Sequence, residues 1–299
     1  MTAPTDLLAV MRNWPRPIYV VIDGTLLPDA PGLTAKADVF VRSLFIEHGD
    51  PATVQSGPWF AALDERHLES LMLIEGIETA SVFWGGAVEE PVIFRHLRSL
   101  NLFDVPRPVD APPDPFAADP ETVLFRHWDP SVMALVLPVL EPAQRARLFG
   151  PMDALAIYAH SLDGAREAKR RETWPEPERG RIRLSVAQME QITKAMVDRS
   201  RKTIAAYLRD TASAQTVTMD DRTLFEFIER SEIIGRSWGL VTEASFGRFA
   251  WLMLATQGGI VTMEPVRAGI AAAGISPDQA LRTLMDVMAD QLRHQDILT

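Results

Sequence analysis

The sequence predicts two lobes: an N-terminal lobe of the α+β or α/β class built on a short mixed sheet, and an all-α C-terminal lobe. Three observations carry this. Residues 18–23, IYVVID, are short, continuous and rich in β-branched side chains, the pattern of a strand buried on both faces. Residues 81–86 (SVFWGG) and 122–128 (TVLFRHW) repeat that character between turns marked by Pro and Gly. From about residue 184 onward, apolar residues recur instead at helical spacing. The expected division is an α/β domain over 1–162, a charged linker or hairpin over 163–183, and a helical domain over 184–299.

Between the predicted strands, LRSLNLF follows the Pro91 turn with a helical pattern. The stretch 106–120, PRPVDAPPDPFAADP, holds six prolines. Proline removes a backbone donor and interrupts regular pairing, so a loop is expected there. Residues 163–183 carry seven basic and five acidic side chains, a mixed and solvated pattern, with Asp163-Gly164 suited to a hairpin tip. Ser185 and Gln188 then form a capping-box signature, followed by Val186, Met189, Ile192, Met196, Ile204 and Leu208 near helical spacing. A second stripe runs through Leu224, Phe227, Ile228, Ile234 and Trp238, and a third through Phe246, Phe249, Ala250, Met253 and Leu254. Ser276, Pro277 and Gln279 open a last helix carrying Leu281, Leu284, Met285, Met288 and Leu292. No internal repeat is visible.

Composition narrows the function. At 299 residues the chain has the length for one large or two modest domains, and 47% hydrophobic with 23% charged residues is ordinary for a soluble globular protein. No window approaches the roughly 18–20 apolar residues of a membrane span, and the opening residues lack a signal-peptide pattern. With no cysteine, disulfides, thiolate nucleophiles and cysteine-held zinc are excluded. A net charge of −10 opposes non-specific binding to nucleic acid or anionic lipid, which needs local positive charge. The expectation is a cytoplasmic protein with neither a nucleic-acid partner nor a membrane span.

The candidate chemistry is thin. VVIDGTLLPD (20–29) resembles half of the Asp-x-Asp-Gly-Thr signature of haloacid dehalogenase phosphatases. Asp23 stands at the second position, but Val21 occupies the nucleophile's place, and a valine forms no acyl phosphate. Asp23 reads instead as a strand-end carboxylate turning at Gly24, bonded to nearby backbone N–H groups or to an arginine such as Arg126. In LFRHWDPSVM (124–133), strand alternation would put His127 and Asp129 on one face, giving a hydrolase pair. The structural alternative makes Asp129 the N-cap and Pro130 the first residue of a helix through Val132, Leu135 and Val136. The six histidines (48, 67, 96, 127, 160 and 294) show no zinc spacing. The WGG of 84–86 lacks the third glycine of a dinucleotide loop, no P-loop is present, and four lysines leave little support for a Schiff base. No metal, cofactor or catalytic set is expected.

A series of blocks carries a resemblance. IYVVIDG (18–24), SLF (43–45), SGPWFAALD (56–64), VFWGG (82–86), FRHLRSLNLFDVP (94–106), LFRHWDP (124–130) and LFGPM (148–152) occur in order. Together the chain resembles the effector adaptor/chaperone family of bacterial type VI secretion, the Tap/Tec type, with a C-terminal tail similar to GLVTEASFGRFAWLMLATQGG (239–259). The proline-rich loop is longer than that pattern expects. The resemblance implies a non-enzymatic protein that holds a toxic effector in the cytoplasm and loads it onto the VgrG spike or a PAAR-linked region. It marks Asp23, Gly57, Pro58, Trp59, Trp84, His96, Arg98, Arg126, Asp129 and Pro130 as motif positions with structural roles. A holder of apolar effector segments needs adaptable apolar surface. Trp238, Phe246, Phe249 and Trp251 are the candidates for it, with core packing as their ordinary alternative. An open strand edge in the first lobe is a second way to hold a partner. An immunity protein that blocks a toxin is the remaining alternative.

Overall fold

The computed structural model describes residues 6–45, 50–107, 120–159, 162, 164–272 and 274–296. His48, His160, Asp163 and positions 108–119 of the proline-rich loop lie outside the described residues, as do the side chains of Met288, Leu292 and His294. The chain divides into two compact units, Met1–Lys194 and Ala195–Thr299.

In chain order the first unit contains α1 (Leu7–Met11), β1 (Ile18–Asp23), α2 (Ala30–Lys36), β2 (Arg42–Ser43), α3 (Pro51–Gln55), β3 (Pro58–Leu63), α4 (Glu65–Leu71) and β4 (Ser81–Gly85). There follow α5 (Glu90–Arg98), β5 (Leu102–Val105), β6 (Glu121–Leu124), α6 (Pro130–Val136), α7 (Pro142–Phe149), β7 (Ala154–Ala159), β8 (Gly164–Lys169) and β9 (Ile182–Arg183). The unit boundary falls inside α8 (Val186–Thr211). The main sheet has the order β2-β3-β1-β4-β7-β8, with every neighbouring pair antiparallel. Mixed pairing is confined to a small second sheet, β6-β5-β9, antiparallel on one side of β5 and parallel on the other.

β1 is apolar without interruption because both faces of its sheet are covered. Tyr19 and Val21 enter a core with Ile93 and Leu97 of α5, Met133 of α6 and Phe149 of α7. Ile18, Val20 and Ile22 enter the opposite core with Leu7 and Met11 of α1 and Leu68 and Leu71 of α4. Alternation along a strand distributes one run of side chains to two layers.

One expectation is corrected and another resolved. The strand expected over 122–128 stops at Leu124. Phe125 N–H donates to Asn101 O and His127 N–H turns back to Phe125 O, so residues 125–129 form a tight turn without alternation. Residues 163–183, expected as a charged linker or hairpin, supply β8, which forms an antiparallel hairpin arm with β7, and β9, which pairs with β5. β8 is a sheet edge, so its charges face water while its backbone is paired on one side.

The second unit contains the remainder of α8 with α9 (Ser213–Thr216), α10 (Asp221–Ser237), α11 (Glu243–Ala255), α12 (Glu264–Ala272) and α13 (Pro277–Asp296). Starts follow capping chemistry. Gln188 N–H donates to Ser185 Oγ at 3.2 Å and Ser185 N–H to Gln188 Oε1 at 2.9 Å, a reciprocal box. Gln279 N–H donates to Ser276 Oγ at 3.3 Å, as expected of an N-cap. α11 is the apolar centre, its Phe249, Ala250 and Leu252 fully buried against Leu208, Leu224, Ile228 and Leu281. No helix among the described residues is long and apolar enough to cross a membrane.

Candidate functional site

The motif positions converge at the end of β1. Asp23 is fully buried there. Its Oδ1 accepts the Thr25 N–H at 2.8 Å, and its Oδ2 accepts Arg126 Nη2 at 2.5 Å. Arg126 also stands 3.4 Å from Asp129 Oδ2, so one guanidinium joins two carboxylates. Asp129 Oδ1 accepts the N–H groups of Ser131 and Val132 at 2.8 and 3.3 Å, with Pro130 behind it at the first helical position. Asp129 is therefore the N-cap of α6. Replacing it with alanine is expected to cost about 0.5–2 kcal/mol of stability, the usual cost of a lost cap, read from urea unfolding midpoints.

The turn after β1 is closed by glycine. A Cβ on Gly24 would fall 2.3 Å from Gln55 O, and the Gly24 N–H donates to Gly57 O at 3.0 Å, so only glycine allows this approach. Gly57 carries Phe45 against its bare face, Pro58 lies opposite Asp23 across the β1–β3 pair, and half-buried Trp59 donates its indole N–H to Gln55 O at 3.2 Å. Motif residues from three sequence segments thus form one knot that ties β1 to β3 and α6.

A second group lies under α5. Trp84, fully buried on β4, meets Phe149 edge-on at 6.4 Å, and its indole N–H is buried without an acceptor. His96 Nε2 is 2.9 Å from Leu148 O, so Nε2–H donates to that carbonyl. Its ring occupies the space that a Cβ on Gly150 would take. Burial pushes the His96 imidazole down to about 4. The Arg98 guanidinium stands 5.8 Å from the Phe94 ring, which Arg42 caps at 3.7 Å.

His127 and Asp129, the pair of the hydrolase alternative, do not meet. The turn at 125–129 sends His127 inward, where it is fully buried with Nε2 3.0 Å from Asn101 Oδ1. Burial, and then the proximity of His96, push His127 down to about 3. A group so weakly basic and shut from solvent is poorly suited to take a proton from a substrate. Among the described residues no cluster of three or more acidic or histidine side chains is placed to hold a metal ion.

In the second unit, Trp238, Phe246 and Phe249 are buried, Trp238 meeting Phe249 edge-on at 5.1 Å. Trp251 is half-buried, its indole N–H 3.4 Å from Thr211 O. Trp238, Phe246 and Phe249 therefore pack the core of the unit, and Trp251 keeps part of its ring at the surface. One surface that combines apolar and charged groups lies beside β8, around Arg145, Lys169, Arg171 and Trp174. Most of it falls in the stretch expected as a charged linker or hairpin.

The first unit is thus an α/β lobe around an antiparallel sheet, with the motif residues knotting its strands to its helices. Residues 18–147 match the family model described as Domain of unknown function (DUF4123), a stretch just under half of the chain. No curated protein and no solved structure matches.

Proposed function

We propose that this chain is a type VI secretion adaptor/chaperone: a non-enzymatic protein that binds a cognate toxic effector in the cytoplasm and helps load it onto the VgrG spike or a PAAR-linked region. The observation that carries this is the DUF4123 match over 18–147, the interval that holds nearly all of the ordered blocks resembling the Tap/Tec adaptors. The geometry favours a binding role. The polar motif residues serve as caps, turn closures and a buried ion pair, and His127 is held away from Asp129. Deleting the gene is expected to lower the steady-state level and the delivery of the toxin encoded beside it. Unchanged toxin level and delivery would contradict the reading. An immunity protein would instead protect a cell against that toxin without affecting its export.

A further inference from the structure

The surface beside β8 combines an open sheet edge, an apolar groove and a cationic rim. β8 pairs with β7 alone, and among the described residues no backbone–backbone hydrogen bond leaves its other side. Next to it lies a groove of about 480 Å³ whose floor includes Leu137, Phe149, Ala168 and Trp174. Buried Phe149 meets the half-buried Trp174 ring edge-on at 5.1 Å, so the indole is held in place while part of it stays open to solvent.

Arg145, Lys169 and Arg171 also line the groove, with Glu167 the single carboxylate among its lining residues, and alternation along β8 sends Glu167 and Lys169 to the face opposite Ala168. Glu167 is already engaged, accepting the Trp14 indole N–H at 2.8 Å and lying 3.2 Å from Lys169. The Arg171 guanidinium has no partner among the described residues. Arg145 gives one hydrogen bond, to Pro138 O at 2.8 Å, and leaves its Nε–H without an acceptor. Turning it toward an incoming carboxylate therefore sacrifices little. This excess of positive charge belongs to a chain with a net charge of −10, so it is local to the groove. Charged residues on a sheet edge also prevent self-pairing, but that role requires neither the groove nor a tryptophan fixed in it.

We propose that this strip is the docking site for an extended, acidic segment of the partner protein. The segment adds to β8 as a strand, sets an apolar side chain against Trp174 and pairs carboxylates with Lys169 and Arg171. The proposal rests on the adaptor reading for the identity of the partner. Main-chain pairing supplies the affinity, and side chains alternating toward the groove supply the selectivity.

Fluorescence anisotropy on the full chain, with a labelled peptide of alternating Val and Glu, tests this directly. The expected result is saturable binding at low salt, at least about tenfold tighter than that of the matching Val/Lys peptide, and lost when alternate amides are N-methylated. The double variant K169E/R171E, changed only at exposed side chains, is expected to reverse the preference between the two peptides. Failure of the Val/Glu peptide to bind, equal binding of both peptides, or indifference to N-methylation would overturn the proposal. Coexpression separates this from the adaptor reading. An effector that co-elutes equally well with K169E/R171E removes this strip and keeps the adaptor. An effector that never co-elutes removes the adaptor whatever the peptides do.

Discussion

Replacing Arg126 with methionine is expected to lower the unfolding free energy by about 3 kcal/mol. Asp23 is fully buried and Arg126 is its only charged partner among the described residues, so the substitution strands a carboxylate away from water. Removing one member of a buried pair typically costs about 3–5 kcal/mol. The low end applies because the Arg126 side chain remains 36% exposed and partly screened. The same substitution also removes the contact to Asp129 at the start of α6. The double variant D23N/R126M separates stranded charge from lost packing. Asparagine keeps an oxygen for the Thr25 N–H and carries no charge, so most of the lost stability should return. If D23N/R126M is no more stable than R126M in urea unfolding, the loss lies in packing and the electrostatic account fails.

Acidification from pH 7 to 5 is expected to destabilise the first unit through two buried histidines. His96 and His127 are held in the fold at about 4 and about 3, against 6.5 when exposed. The unfolded chain therefore binds these protons more readily, and stability rises with pH across that interval. Their contribution is complete above about pH 6.5 and is lost as pH falls toward 4 and then 3. Each histidine gives at most about 1.4 kcal/mol per pH unit within its window. Moving from pH 7 to 5 should thus remove about 2 kcal/mol per group, or about 4 kcal/mol for both. Asp64, Asp220 and Asp278 are held below their ordinary range, so what they contribute is lost only as pH falls below about 3.8. Unfolding midpoints between pH 7 and 5 check this. H96Q and H127Q should each flatten the pH dependence while lowering stability at pH 7. A slope unchanged in both variants would contradict the assignment.

Much of the first unit was legible because burial writes itself into composition. IYVVID could be read as a strand covered on both sides, and both cores confirm the reason. The caps at Ser185, Ser276 and Asp129 were legible because a short polar side chain before a periodic run has one good use. The Asp23–Arg126 pair was visible only as one option among several, since nothing local brings residue 126 to the end of β1. TVLFRHW was misread past Leu124 because strand propensity continues there while the backbone turns to Asn101. β8 was ambiguous for the opposite reason. An edge strand needs few apolar residues, so GAREAK reads equally as a solvated linker or as one arm of a hairpin until β7 pairs with it. The aromatic stripe of α11 had the right period, but the period is the same for a core helix as for a docking face. Only the enclosure of Phe246 and Phe249 decides between them.

The most direct test of the adaptor reading is coexpression of the chain with the products of its flanking genes, followed by size-exclusion chromatography. The account predicts that a toxin encoded beside it co-elutes with the chain in fixed stoichiometry. Separate elution of the two proteins at concentrations where both remain folded would contradict it.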